Sequence, residues 1–273
     1  MARKCNDLDL GKYLNMHRFT KIVFVTVALV SAMLLSSCNN DKTNNITIVV
    51  NNSAEPFSYI DSDGELTGFE VELMKAIAHD QGFKVKLISS EWEWITSQLK
   101  RKVPKFDGAM SLITMTTERW EYMEFTHPYF RSGIAVAGKN GITGITSYDD
   151  LKGKKVAVKT NTIVHEYAVV LAENIGFTLV ERLNADDAYK AVTSGEADVI
   201  MDEHPMIWYR VHKKGLPLDI VIRSKDQFTF NLAVGKSENY SLIRMFNDGL
   251  LNLEEDGTYQ SIMNKYFPDY KYY

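Results

Sequence analysis

The sequence is poor in cysteine: Cys5 and Cys38 are the only two in 273 residues. A domain built from the residues after Cys38 therefore has no disulfide and must rest on its hydrophobic core. Acidic and basic residues nearly balance, with a formal net charge of -4. This excludes the strongly basic surface that is typical of nucleic-acid-binding proteins. No low-complexity tract or short repeat interrupts the chain.

The common catalytic and metal-binding signatures are missing as well. The chain contains no Gly-x-Ser-x-Gly elbow, no His-Glu-x-x-His and no glycine-rich phosphate loop. His165-Glu166 lacks the second histidine of a zinc site. Asp202-Glu203-His204 would suggest a metal site, but neighbours on an extended segment point in different directions. We therefore expect no catalytic residue, no metal and no cofactor.

Residues 16–38 have the layout of an export signal. Basic residues precede an uncharged apolar run from Ile22 to Leu35, and Leu35-Ser36-Ser37-Cys38 follows. The run is shorter than the roughly 20 apolar residues that a membrane-spanning helix needs. Leu-Ser-Ser-Cys resembles the lipobox of bacterial lipoproteins, whose cysteine becomes the lipidated first residue of the mature protein. The alternative is an ordinary signal peptide in which Cys38 is incidental.

Short β-branched runs alternate with helical patterns after Asn45, which predicts βαβ units around parallel sheets. The pattern begins again after Ala137 and the chain returns late, so we expect an α/β fold of two lobes joined by two crossover segments. Ligands bind outside the carboxyl ends of such strands, so the cleft between the lobes is the expected site. The predicted strands are Ile46–Val50, Lys84–Ile88, Gly108–Ile113, Lys155–Val158, Thr178–Glu181 and Ala197–Met201. The predicted helices are Phe69–His79, His165–Glu173, Asp186–Ser194 and Ser241–Phe267 with a break at Gly257.

These patterns divide the chain. Residues 1–37 are the leader, cleaved before Cys38, and 38–45 a polar tether. Residues 46–131 are the first part of lobe 1, 132–229 are lobe 2, and 230–273 return to lobe 1. We expect an exported monomer, lipid-anchored on the outer face of the plasma membrane or on the periplasmic side.

One segment after a predicted strand has the composition of an anion site. Ser111–Arg119 crosses hydroxyl-bearing residues that can cap a helix, and Arg119 falls in the predicted first turn. Free backbone N–H groups and a guanidinium fork both favour a carboxylate. Lys159–Thr162 is a weaker version of the same arrangement. The alternatives are that Arg119 is a surface residue paired with a neighbouring glutamate, and that Thr162 is a plain helix cap.

Several motifs follow one another through the chain after the tether. They are Pro56-Phe57-x-Tyr59, Gly64-x-Leu66-x-Gly68-Phe69-x-Val71-x-Leu73, Ile113-Thr114-Met115-Thr116-x-Glu118-Arg119, Phe125-Thr126-x-Pro128-Tyr129, Leu151-Lys152-Gly153-Lys154-Lys155-Val156 and Gly195-Glu196-Ala197-Asp198-Val199-Ile200. In this order they resemble the bacterial extracellular solute-binding proteins, family 3, and the members that bind glutamine and other polar amino acids look closest. The resemblance implies a type II periplasmic-binding-protein-like fold.

The resemblance also implies a function and partners. The protein would be a binding protein rather than an enzyme, capturing a polar amino acid by closure of the lobes. Its partners would be that amino acid, the permease subunits of an ABC importer, and the membrane through a lipid anchor. Glutamine is the first expectation for the ligand.

First-lobe ligand contacts are implied position by position. Arg119 matches the arginine that grips the α-carboxylate of the ligand, and Thr114 matches a hydroxyl residue that meets the ligand. Trp92 falls where the family places an aromatic ring. Asn51 stands where many members have an acid, and Leu112 of the Ser111–Arg119 segment completes this part of the predicted set.

Second-lobe contacts follow the same logic. Thr162 matches the threonine of a carboxylate loop, although Asn161 replaces a neighbouring glycine. Glu203 stands where the family usually has an aspartate that pairs with the α-ammonium.

In the first lobe, Ala54 replaces an aromatic residue that covers the ligand in the family. The departures at Asn51 and Ala54 bear on side-chain specificity.

Two other functions remain open from the sequence. The same fold hosts exported dehydratases, for which Glu203 or Glu91 would be the candidate general acid. It also hosts sensory ligand-binding modules. The sequence ends at Tyr273 without a kinase or a further domain, and we therefore expect neither a fused sensor nor a fused enzyme.

Overall fold

The computed structural model describes residues 45–271, without the side chain of Asp226. The predicted leader, Cys38 and most of the tether lie outside these residues. No helix within 45–271 is both long and apolar enough to cross a membrane.

The first lobe has a parallel core, a small antiparallel sheet and four helices. Its strands are β1 (Asn45–Asn51), β2 (Ser53–Ala54), β3 (Ser58–Ile60), β4 (Leu66–Thr67), β5 (Lys84–Ser90), β6 (Gly108–Thr114) and β7 (Met123–Phe125). Its helices are α1 (Phe69–Asp80) and α2 (Trp92–Leu99), followed late in the chain by α6 (Tyr240–Glu255) and α7 (Thr258–Tyr266). Because β1 pairs in parallel with both β5 and β6, the carboxyl ends of these strands lie at one edge of the sheet.

The second lobe repeats the α/β pattern. Its elements are β9 (Lys155–Lys159), α3 (Ile163–Ile175), β10 (Thr178–Arg182), α4 (Ala185–Ser194), β11 (Val199–Glu203) and α5 (His204–His212). Strand β9 lies between β10 and β11 and pairs in parallel with both. The ends of β9 and β11 therefore point toward the same side.

Two long strands, β8 (Phe130–Lys139) and β12 (Leu218–Gly235), carry the chain between the lobes. They pair antiparallel with each other, while β8 also pairs with β11 and β12 with β6. One nine-stranded sheet thus runs through both lobes in the order β10-β9-β11-β8-β12-β6-β1-β5, with β7 beside β12. The prediction of two α/β lobes with two crossover segments is confirmed. The predicted parallel pairing is present within each lobe, and the crossover strands add antiparallel pairs, because one leads out of the first lobe and the other returns.

An aromatic cluster anchors both crossover strands in the first lobe. The ring of Phe57 lies 4.9 Å from that of Phe130 on β8 and 5.4 Å from that of Phe230 on β12, both edge to face. Phe69 and Phe267 pack against the rings of Phe57 and Phe130. Burial of such rings is the largest apolar contribution a side chain can make to a core. The second lobe has its own core, which includes Leu151, Val156, Val158, Val164 and Val199.

Most predicted elements are present, with ends shifted by a few residues. Helix α4 ends at Gly195, and the tail helices are separated at Gly257. The sequence patterns missed α2 and α5, which are short and carry large aromatic residues in place of a clear apolar stripe. They also missed β8 and β12.

Gly68 occupies a backbone conformation that side chains do not tolerate. Its φ is 126°, and a Cβ atom placed there would lie 2.3 Å from the carbonyl oxygen of Phe57. This close approach lets the first turn of α1 donate backbone hydrogen bonds from Phe69 to Pro56 and from Glu70 to Phe57, at 2.9 and 2.8 Å. Helix α1 therefore begins against the Pro56-Phe57 turn.

We predict that Gly68→Ala lowers the free energy of unfolding by about 2–4 kcal/mol, through backbone strain and the clash with Phe57. Gly64→Ala is the matched control, because Gly64 also has a positive φ, 83°, but open space around its Cβ position. That control should cost about 1 kcal/mol. Urea denaturation of both variants checks this, and equal losses would contradict it.

Candidate functional site

One cavity lies where the carboxyl ends of β1 and β6 in the first lobe face those of β9 and β11 in the second. The structure brings together there every residue that was predicted to bind the ligand: Asn51, Trp92, Leu112, Thr114, Arg119, Thr162 and Glu203. The remaining lining residues are Ser53, Ala54, Ser111, Lys159, Ile163, Ala185, Asp202 and Met206.

Arg119 is oriented by its own loop. Its Nη1 donates a hydrogen bond of 2.7 Å to the carbonyl oxygen of Thr114, and its backbone N–H donates to Oγ1 of Thr116 at 3.2 Å. The nearest helical element is a single 3₁₀ turn, Arg119–Glu121. The predicted helix start is thus a single 3₁₀ turn, with Arg119 as its first residue and the Thr116 hydroxyl bonded to the N–H of Arg119. The other guanidinium N–H groups remain available to a carboxylate in the cavity.

The alternative interpretation, a surface pairing of Arg119 with a neighbouring glutamate, has no counterpart within residues 45–271. Glu118 lies 3.9 Å from Lys100 instead. The guanidinium carbon of Arg119 lies 5.7 Å from the centre of the Trp92 ring, within the range of a cation–π contact.

Trp92 connects the two lobes. It begins α2, and its indole N–H donates a 2.7 Å hydrogen bond to the carbonyl oxygen of Asn161 in the second lobe. Trp94 does not line the cavity and packs against Phe106, with 6.0 Å between the ring centres. Trp92 and Arg119 line both the cavity and the outer cleft beside it. They therefore form the partition between the two spaces.

Two buried hydroxyl groups face the cavity without a partner among the described residues. Ser111 and Thr114 are 3% and 4% exposed, and neither Oγ of Ser111 nor Oγ1 of Thr114 has a hydrogen bond within residues 45–271. Buried polar atoms are nearly always hydrogen-bonded in proteins. These hydroxyls are therefore suited to bind a polar group of a ligand.

A buried carboxyl supports this wall from behind. Glu70 accepts hydrogen bonds from the backbone N–H of Leu112 and from the hydroxyls of Tyr129 and Ser58. Burial raises the pKa of Glu70 to about 7, although these three hydrogen bonds act in the opposite direction.

Asn51 presents a donor to the cavity. Its Oδ1 accepts hydrogen bonds from the backbone N–H and the hydroxyl of Ser53, at 2.8 and 3.1 Å. Because a backbone N–H can only donate, this contact fixes which end of the amide is oxygen. The amide nitrogen of Asn51 is then the end left for a ligand, and it binds acceptors.

Thr162 is the N-cap of α3. Its Oγ1 accepts from the backbone N–H of His165 at 3.1 Å and donates to the carbonyl oxygen of Lys159 at 3.0 Å. It also lines the cavity, so the cap interpretation and a place in the site both hold. Lys159, at the end of β9, brings a second cationic side chain to the cavity.

The second lobe supplies the acidic wall. Asp202 accepts from the hydroxyl of Tyr189 at 2.8 Å and from the backbone N–H of Glu203 at 2.9 Å. Burial, and after it the neighbouring Asp202 charge, raise the pKa of Glu203 well above its ordinary value, while Lys159 lowers it. No cluster of histidine, cysteine and acidic residues in the described part of the chain could hold a metal.

Sequence reasoning missed several lining residues. Ser111 and Lys159 lie in segments that were singled out, and Asp202 precedes Glu203, so closer attention to strand ends would have found them. Ala185 and Met206 come from the starts of α4 and α5. They carry no sequence signal of a site, because only packing of the helices against the sheet brings them there.

The chain is similar to known proteins over nearly all of its described length. A profile of the bacterial extracellular solute-binding proteins, family 3, matches residues 46–269. The L-cystine-binding protein TcyJ of Escherichia coli (strain K12) is 29% identical over 252 residues, which cover 89% of this chain and 92% of that protein. An ancestral arginine-binding protein bound to arginine is 29% identical with a TM-score of 0.74, covering 82% of this chain and 98% of that one. The ancestral amino acid-binding protein AncCDT-1, a precursor of cyclohexadienyl dehydratase, is 29% identical with a TM-score of 0.74. The match covers 83% of this chain and 96% of that one.

We predict that Glu203→Gln stabilises the ligand-free protein increasingly as pH rises. A carboxyl whose pKa is raised by folding contributes stability below its unfolded value, 4.5, and loses that contribution as pH rises through the folded value. Glutamine does not titrate and escapes this loss. Urea denaturation between pH 4 and 8 measures the free energy of unfolding of wild type and Glu203→Gln. Glu93→Gln, on the exposed side of α2, is the control. A constant difference between wild type and Glu203→Gln across that range would contradict the prediction.

Proposed function

Because the chain belongs to the bacterial extracellular solute-binding proteins, family 3, we propose that it captures a polar amino acid in the cavity between its lobes. It acts as a monomer and delivers the ligand to the permease subunits of an ABC importer. The observation that carries the proposal is the placement of Arg119 and Glu203 on opposite lobes of one cavity. A cation and an acid facing each other match the α-carboxylate and α-ammonium of an amino acid.

The side chain of the ligand is proposed to be uncharged and to carry an acceptor, with glutamine first. Asn51 offers an N–H donor where an acid would bind a cation, and Lys159 adds positive charge. Both oxygens of Asp202 are occupied by donors from the protein. A desolvated cationic side chain such as that of arginine would therefore have little to offset its charge in this subsite.

Binding is proposed to close the lobes. Arg119 and Thr114 belong to the first lobe and Glu203 to the second, so a ligand gains all of its contacts only in the closed form. The hydrogen bond from Trp92 to Asn161 and the 2.7 Å ion pair from Lys214 to Glu55 join parts of the chain that closure brings together. These contacts support a closed form that is stable before the importer is reached.

We further propose that Cys38 carries lipid and anchors the protein on the outer side of the membrane. Leu35-Ser36-Ser37-Cys38 supports this by its resemblance to a lipobox. Family membership supports export but not the anchor.

An exported dehydratase is the second candidate, favoured by the raised pKa of Glu203 in the cavity. Glu91, the other candidate acid, accepts a hydrogen bond from Asn52 on the surface and does not line the cavity. The similar structure AncCDT-1 is described as an amino acid-binding protein and a precursor of a dehydratase, so this similarity does not itself favour an enzyme. Incubating the pure protein with candidate amino acids and analysing for products distinguishes turnover from binding.

We predict that Arg119→Ala weakens amino-acid binding by about tenfold to a thousandfold, because the buried α-carboxylate of the ligand loses a charge-assisted hydrogen bond. The fold should lose little stability. Calorimetric titration with L-glutamine and thermal unfolding measure the two effects. Arg131→Ala is the control, since Arg131 is exposed on β8 and does not line this cavity. Equal affinities of Arg119→Ala and wild type would contradict the proposed role.

We predict that wild type prefers L-glutamine to L-arginine and L-lysine, and that Asn51→Asp shifts this ratio toward the cations by about tenfold or more. One carboxylate oxygen would keep the contact to Ser53 and the other would face the ligand. Competition among glutamine, glutamate, asparagine, histidine, arginine, lysine and cystine gives the ranking. Asn52→Asp is the neighbouring control outside the cavity. Tightest binding of a basic amino acid to wild type would overturn the interpretation of Asn51.

We predict that Cys38→Ser abolishes incorporation of a fatty-acid analogue, because no other cysteine follows the leader. Cys5→Ser should be labelled like wild type. Metabolic labelling followed by gel analysis measures this. Label on the Cys38→Ser protein would exclude lipidation at that residue.

A further inference from the structure

Glu70 is a buried carboxyl that lies outside the cavity yet contacts the segments that form it. It sits in the first turn of α1 and is 0% exposed. Its Oε1 accepts from the backbone N–H of Leu112 at 2.8 Å and from the hydroxyl of Tyr129, and its Oε2 accepts from Oγ of Ser58 at 3.0 Å. One side chain thus joins three segments that are distant in sequence.

Each of these segments leads to the cavity or to a crossover strand. Leu112 lines the cavity at the end of β6. Ser58 pairs with Ala54, another lining residue, in the β2–β3 hairpin. Tyr129 directly precedes β8, and its backbone N–H donates to Phe230 on β12 at 3.0 Å. Glu70 therefore holds two parts of the cavity wall in register with the start of the interlobe connection.

Leu112 is the part of the wall that most needs support. Its φ is +52°, a left-handed conformation that a leucine adopts at an energetic cost and glycine adopts freely. The hydrogen bond from its N–H to Glu70 offsets that cost. The left-handed backbone at Leu112, within β6, sets the direction of Ser111 and Thr114, the two residues whose buried hydroxyls face the cavity.

We infer that Glu70 is a positioning residue for ligand binding, whose carboxyl holds Leu112 in its left-handed backbone conformation so that Ser111 and Thr114 face the ligand. Ligand affinity then depends on Glu70 beyond the stability that it gives to the fold. The inference rests on the proposed function for the ligand, but the local geometry at Leu112 is testable without one.

A double-mutant cycle tests the coupling, with calorimetric titration of L-glutamine as the probe. Glu70→Ala should weaken binding about tenfold or more. Leu112→Gly removes the need for the anchor, so adding Glu70→Ala to it should cost less than about threefold. Glu70→Gln keeps an oxygen for Leu112 and should also bind within about threefold of wild type. An equal loss from Glu70→Ala in both backgrounds, or no loss at all, would overturn the inference.

Leu253→Ala separates positioning from general stability. Leu253 is buried in the same core on α6, away from the cavity, and its truncation should destabilise the fold while leaving the affinity unchanged. If affinity falls in the same proportion to the loss of stability in Leu253→Ala as in Glu70→Ala, the role of Glu70 is purely structural.

Hydrogen exchange on the ligand-free protein gives a readout that does not depend on the ligand. The Leu112 amide should be protected in wild type and in Leu253→Ala, and exchange at least about tenfold faster in Glu70→Ala. If wild type binds no amino acid, the proposed function fails and this comparison alone decides the role of Glu70. Unchanged protection of Leu112 in Glu70→Ala would overturn the inference.

Discussion

The site depends on how one carboxyl group is accommodated in the core of the first lobe. Glu70 has no contact with solvent, and an unpaired charge at such a depth would cost several kcal/mol. The chain satisfies it with donors from Ser58, Leu112 and Tyr129. A carboxyl that needs three donors forces three segments to converge, and these segments are two parts of the cavity wall and the start of β8. The same requirement that stabilises the core therefore shapes the site.

The crossover strands explain why a single site is made from two lobes. Both are anchored in the first lobe by Phe130 and Phe230, whose rings lie 6.0 Å apart, and both continue into the sheet of the second lobe. Arg119 and Glu203 then approach the cavity from opposite sides. Because neither lobe carries both Arg119 and Glu203, a molecule that meets both side chains contacts the two lobes at once.

The polar groups of the cavity divide by their partners. Asp202 accepts hydrogen bonds from Tyr189 and from the backbone N–H of Glu203, and after burial it is the next cause of the raised pKa of Glu203. Asn51 is half engaged by Ser53, which leaves a donor. The number of acidic residues in the sequence therefore does not give the charge that a ligand meets in the cavity. That charge depends on the hydrogen bonds that each polar group already makes within the protein.

The sequence alone determined the order of the α/β units and the residues that lie at the strand ends. Alternating β-branched and amphipathic runs specify where strands and helices form, since that periodicity is a local property of the chain. Family motifs marked Arg119, Thr114 and Glu203, all of which line the cavity. Tertiary structure alone decided that β8 and β12 run antiparallel, that Arg119 begins a 3₁₀ turn, and that Glu70 supports Leu112 across 42 residues of sequence. These features arise from contacts between segments far apart in the chain, which no local pattern encodes.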